Sequence, residues 1–146
     1  MSFFIRSLPR LPKTYNRTVF FQSINKRAFH QTIANMGVHN IATATEFKSA
    51  LADNQVVVLD AFAVWCGPCK AIAPKVTQLS VDYPAAHFIK IDVDELPEVS
   101  QELGIRAMPT FIIFKGEKKV AEVVGANPAA LESAIKSAVE GVEPKA

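Results

Sequence analysis

The sequence is poor in cysteine, tryptophan and glycine: its 146 residues include two Cys, one Trp and six Gly. Two cysteines cannot hold together a disulfide-rich secreted scaffold, which needs several bridges in place of a core. No apolar run approaches the length that spans a bilayer. The most apolar stretch, Val56 to Trp65, is short and carries Asp60 in its middle. Acidic residues are missing from the first 45 positions, which hold six basic groups: Arg6, Arg10, Lys13, Arg17, Lys26 and Arg27. The other ten basic residues stand against fourteen acidic ones, so the formal net charge of +2 divides into a basic leader and a body of net −4. Such a body lacks the clustered basic face that a phosphate backbone requires, and neither nucleic acid nor a membrane is an expected partner. A hydrophobic fraction of 49% excludes a wholly disordered chain, and the length suits one compact domain.

Residues 1–35 read as a mitochondrial targeting presequence. They are Arg-rich, contain Ser and Thr, lack acid, and scatter Phe3, Phe4, Phe20, Phe21 and Phe29 among the charges. A secretory signal would need a continuous apolar segment and a small-residue cleavage site, and neither is present. Arg27-Ala28-Phe29-His30 resembles a matrix-protease site cut after Phe29; the alternative is a basic tail with no address. Met36 offers a second start, which would give a shorter cytosolic form. Residues 36–146 are expected to form the folded domain.

Within that domain helices and strands alternate. Thr43-Ala44-Thr45-Glu46 reads as a capping box opening a helix through Phe47 and Leu51 to about Asp53. Val56 to Ala63 reads as a buried strand, followed by a helix from the cysteine pair to about Ser80. Ile72, Val76 and Leu79 share one face of that helix, and Pro74 is expected to kink it. Phe88, Ile89, Ile91 and Val93 fit a second buried strand, and Pro97 begins a short helix ended by Gly104. Thr110–Lys115 and Lys119–Val124 read as a hairpin about Gly116-Glu117. Asn127 caps a last helix that starts at Pro128, has Leu131, Ile135 and Val139 along its inner face, and closes at Gly141. This order predicts an α/β domain, a mixed sheet with helices on both faces.

The two cysteines lie three apart, as Cys66-Gly67-Pro68-Cys69, at the junction of a strand and a helix. Disulfide exchange needs a reactive thiolate and a second thiol near enough to resolve the mixed disulfide. The first residue of a helical turn meets free N–H groups and the positive end of the helix dipole, which favour a thiolate. Cys66 fits this nucleophilic position, and Cys69 fits that of the resolving thiol. Zinc is the competing use of the pair, but a structural zinc site needs four ligands. The other candidates, His30, His39 and His87, form no second pair at short spacing.

Trp65-Cys66-Gly67-Pro68-Cys69-Lys70 resembles the active site of the thioredoxin family. The similarity extends over about residues 38–141 and includes Asp60, Pro74, Lys90-Ile91-Asp92, Gly104-Ile105-Arg106, Ala107-Met108-Pro109-Thr110 and Val124-Gly125-Ala126. With its basic leader the chain resembles the mitochondrial members. The resemblance implies a thioredoxin-like fold and a thiol-disulfide oxidoreductase that reduces protein disulfides and serves cell redox homeostasis. It implies that Asp60 is a buried carboxylate accepting the Cys69 proton, with Lys90 as its partner; a solvent-facing Asp on an edge strand is the alternative. Gly67 and Pro68 would tune the potential toward reduction. Pro109 would follow a cis bond, where base rates alone favour trans. Trp65, Met108, Pro109, Gly125 and Ala126 would form the docking surface, although Trp65 could instead pack in the core. No bound cofactor is implied beyond the redox-active disulfide. Electrons would come from NADPH through thioredoxin reductase, and clients would include peroxiredoxins and methionine sulfoxide reductases. The protein is expected to act as a monomer. Rival readings are an oxidase or isomerase of the same fold, a non-catalytic subunit, or a zinc module. Two departures from the family pattern stand out. Ala61-Phe62 replaces the usual pair of aromatics, and Val64 replaces a commonly polar residue.

Overall fold

The computed structural model describes residues 37–144, so the presequence expected over residues 1–35 lies outside the described residues. Among the described residues one five-stranded sheet runs in the order β1-β3-β2-β4-β5. Its strands are β1 (Val38–Asn40), β2 (Val56–Phe62), β3 (His87–Asp92), β4 (Thr110–Lys115) and β5 (Lys118–Val124). β1, β3 and β2 are parallel, while β2–β4 and β4–β5 are antiparallel. The helices are α1 (Ala44–Asp53), α2 (Gly67–Asp82), α3 (Pro97–Glu102) and α4 (Pro128–Val139).

The expected mixed sheet covered on both faces is what forms, and the reason lies in β2. Alternate residues of a strand point to opposite faces. Val56 and Val58 enter one core, with Ile72, Val76 and Leu79 of α2 and Leu131 and Ile135 of α4. Val57, Leu59 and Ala61 enter the other, with Phe47 of α1 and Val99 of α3. A strand buried on both sides must be apolar nearly throughout, which explains why it reads as a continuous hydrophobic run. Lys75 and Glu132, 2.9 Å apart, link α2 to α4 on the surface.

Most ends fall where local chemistry sets them. Asn127 accepts a hydrogen bond from the Ala130 N–H at 3.1 Å and caps α4. The Gly116-Glu117 turn has φ of 56° and 65°, the positive pair demanded by a two-residue hairpin loop. The first capping box closes differently from expectation. Thr43 accepts from the Glu46 N–H at 3.2 Å, but Glu46 reaches past the cap to the Ala42 N–H at 2.9 Å. α2 runs through Pro74 as one helix of 16 residues. In α4 Leu131, Ile135 and Ala138 are buried, and Val139 packs partly buried against the same core. β1 has no counterpart in the sequence reading, because three residues show no measurable period.

Candidate active site

Ala63, Val64 and Trp65 link the end of β2 to the cysteine pair. Cys66 is the N-cap of α2, and its sulfur accepts from the Cys69 N–H at 3.2 Å. The two residues are joined as a disulfide, with Cα atoms 5.4 Å apart. An anion at a helix start is stabilised by free N–H groups and the dipole, so this cap position is the one that favours a thiolate at Cys66. Exposure does not separate the two residues, since both are buried, Cys66 at 4% and Cys69 at 6%. Position in the helix separates them. Met108, Phe62 and Val93 pack against the pair and Ala63.

Asp60 lies on the central strand of the sheet, paired with Lys90 of β3 on one side and Phe111 of β4 on the other. The edge-strand, solvent-facing alternative is therefore excluded. Asp60 has the parity of Val56 and Val58, so its side chain points to the face covered by α2, the helix that carries Cys69. It is 8% exposed, and its buried Oδ1 has no hydrogen-bond partner. Burial pushes its carboxyl from 3.8 up to about 6, while the Lys90 ammonium pulls the other way. Lys90 also lies over the Phe62 ring, 5.4 Å from its centroid. Asp60, Lys90 and Cys69 line one groove.

The remaining residues singled out from sequence surround the pair. Trp65 is 65% exposed, which excludes core packing, and its Nε1–H donates to Asp94 at 2.9 Å. Asp94 went unnoticed in the sequence because nothing local ties it to Trp65. The Met108–Pro109 bond is cis, and Pro109 is buried. The Gly125 N–H donates to the Pro109 carbonyl at 2.7 Å, which draws the end of β5 to the proline. Gly125 has φ +90° and a Cβ there would meet only open space, so its backbone is left bare beside exposed Ala126. Among the described residues no three His, Cys, Asp or Glu side chains gather into a group able to hold a metal. None of the described helices is long and apolar enough to cross a membrane.

Known proteins share this arrangement. The family profile described as Thioredoxin matches residues 38–137. Thioredoxin-2 of Pyricularia oryzae is 46% identical over 140 residues, covering 91% of this chain and 82% of that protein. The oxidised mitochondrial thioredoxin 3 of Saccharomyces cerevisiae superposes with a TM-score of 0.67 at 41% identity, over 68% of this chain and 94% of that one. A chain from a structure of the thiol resolving mechanism in yeast mitochondrial 1-Cys peroxiredoxin, via glutathione/thioredoxin systems, also gives 0.67 at 39% identity, over 70% and 97%. With the redox pair at the helix start and the similarity running through the whole sheet, the chain belongs to the thioredoxin family, as a thiol-disulfide oxidoreductase that reduces protein disulfides through Cys66 and Cys69.

Proposed function

We propose that Cys66 is the attacking thiolate, Cys69 the resolving thiol and Asp60 the proton acceptor. In the reduced protein Cys66 attacks a client disulfide. The client S–S bond breaks, one client thiolate leaves, and a mixed disulfide forms. Cys69 then gives its proton to the Asp60 carboxylate and attacks the Cys66 sulfur. The Cys66–Cys69 disulfide closes and the second client thiolate leaves. The client gains two electrons and the protein loses two.

The observation that carries this assignment is Asp60 itself: a carboxylate in the central strand, on the α2 face, in one groove with Cys69. Burial there is costly, and its chemical use is a base better matched to a thiol. A free cysteine titrates at about 8.5. A carboxyl at about 6 is closer to that value than an ordinary one at 3.8, and still ionised at neutral pH. Gly67 and Pro68 separate the cysteines and bias the pair toward its reducing use. Trp65, Met108, Pro109, Gly125 and Ala126 form the docking surface, with the Met108 backbone pairing to an extended client segment.

Reduction of this disulfide falls to thioredoxin reductase and NADPH, and the clients include peroxiredoxins and methionine sulfoxide reductases. The protein works as a monomer in the mitochondrial matrix, delivered by residues 1–35, with a cytosolic form starting at Met36. Supporting the matrix assignment are the acid-free basic leader and the likeness to a mitochondrial thioredoxin. A fusion of residues 1–35 to a reporter is expected to enter mitochondria; reporter left in the cytosol refutes the address.

The redox potential tests the direction of the chemistry. The reference for thioredoxin is about −270 mV, a general value rather than one read from this structure, and disulfide isomerase lies near −180 mV. Equilibration in a dithiol buffer, followed by alkylation of the two thiols, is expected to give a value within a few tens of mV of the former. A value above about −200 mV would mark an oxidase or isomerase instead.

A further inference from the structure

A groove of about 420 Å³ opens on the Cys69 side of the pair. The residues of the docking surface around Met108, Pro109 and Gly125 do not line it. Cys69 and Asp60 lie at its base, Phe62 and Val64 give it apolar walls, and Lys70 and Lys90 supply its charge. Val64 is 63% exposed, an apolar side chain held out to solvent beside the reacting sulfurs.

The charge of the groove is unbalanced. The folded body carries a net charge of −4, yet this groove has two lysines, and neither takes part in the ion pairs Lys75–Glu132 or Lys119–Glu122. Lys70 is exposed and sits in the first turn of α2, where no acidic residue occurs. A cation at a helix N-terminus faces the positive end of the dipole, so Lys70 is on the unfavourable end for helix stability. The Asp60 carboxyl is buried at the base beside Lys90 and leaves the Lys70 charge unanswered. An anion in the groove would meet the Lys70 ammonium and the start of α2 at once.

We propose that this groove is a second docking subsite, which receives an Asp or Glu side chain and its apolar neighbour from the disulfide-bearing segment of a protein client. The carboxylate pairs with Lys70 and the apolar neighbour covers Val64 and Phe62. The proposal rests on the reading of Cys66 and Cys69 as the reducing pair. It adds a charge preference that the largely apolar surface on the other side of the pair does not supply.

The test uses the reduced full-length protein and three disulfide peptides that differ only in a Glu, Gln or Lys placed beside the disulfide, next to a Leu. In kcat/KM the Glu peptide is expected to exceed the Lys peptide by about three- to tenfold, with Gln between, the size of an exposed charge pair gained and then reversed. The ratio shrinks as ionic strength rises from 0.01 M to 0.15 M and the Debye length falls from about 30 Å to about 8 Å. Lys70→Glu is expected to invert the Glu/Lys ratio. Using the ratio cancels any change that the substitution makes in the reactivity of the cysteines. Val64→Ser lowers kcat/KM for the Glu–Leu peptide relative to one with Ser in place of Leu. Equal rates for Glu and Lys peptides, or a Glu preference unchanged in Lys70→Glu, would overturn the subsite while leaving the reductase reading intact. No reduction of the Gln peptide by the unsubstituted protein would overturn both.

Discussion

Replacing Asp60 with Asn removes a charge from the central strand with little change of shape, and the structure sets the size and sign of the effect. Burial raises the Asp60 carboxyl from 3.8 to about 6. The folded protein thus holds this proton more tightly than the unfolded chain does. Below the unfolded value both states are protonated and there is no penalty. As pH rises from about 4 to 6 the unfolded chain releases its proton first, and folding stability falls; above about 6 the penalty is complete. That difference is worth roughly 3 kcal/mol once complete. Asp60→Asn lacks the titration, so its stability relative to the unsubstituted protein is expected to grow by about 2 kcal/mol between pH 4 and pH 8. A poorly paired Asn amide adds a cost of about 1–3 kcal/mol that does not depend on pH, so the slope carries the test and the offset does not. Urea unfolding of both oxidised proteins across this range supplies the measurement. A stability difference independent of pH, or one that shrinks as pH rises, would refute a buried carboxyl with a raised titration.

Other substitutions probe the site and the frame that holds it. Cys69→Ser leaves Cys66 without its resolving partner and is expected to accumulate a client mixed disulfide, visible as a mass shift without reductant; no adduct would count against Cys66 as the attacking thiol. Leu131→Ala, at a fully buried position between α4 and the sheet, is expected to cost about 2–5 kcal/mol in denaturant unfolding. Asn127→Ala removes the α4 cap and is expected to cost about 1 kcal/mol by the same measurement, without changing the redox potential of the pair.

Much of the molecule was legible because its signals are local. The cysteine pair, the helix that starts on it, the α4 cap at Asn127 and the turn at Gly116-Glu117 each depend on a few neighbouring residues. β2 announced itself through an unbroken apolar run, the mark of a strand covered on both faces. Local rules also reached too far in places. Glu46 satisfies the N–H of Ala42 rather than that of the cap residue, since a flexible side chain at a helix start has several free donors within reach. β1 escaped notice because it is held by its pairing with β3 and has too few residues to show a pattern; the stacking of His39 on His87, with centroids 4.8 Å apart, is one product of that pairing.

The available chemistry can be read from the chain alone: two thiols three residues apart at a helix start, one carboxylate in an apolar strand and one Lys directly after the pair. What those groups do to one another depends on the fold. Strand order put Asp60 at the centre of the sheet, register set it opposite Lys90, and the pleat turned it to the face of α2 and Cys69. The same packing left Trp65 and Val64 in solvent and brought Asp94 to the Trp65 ring. The physical reason is range. Caps, turns and periodicity act over a few residues, whereas a buried carboxyl acquires its proton affinity from strands and helices that meet it only when the chain has folded.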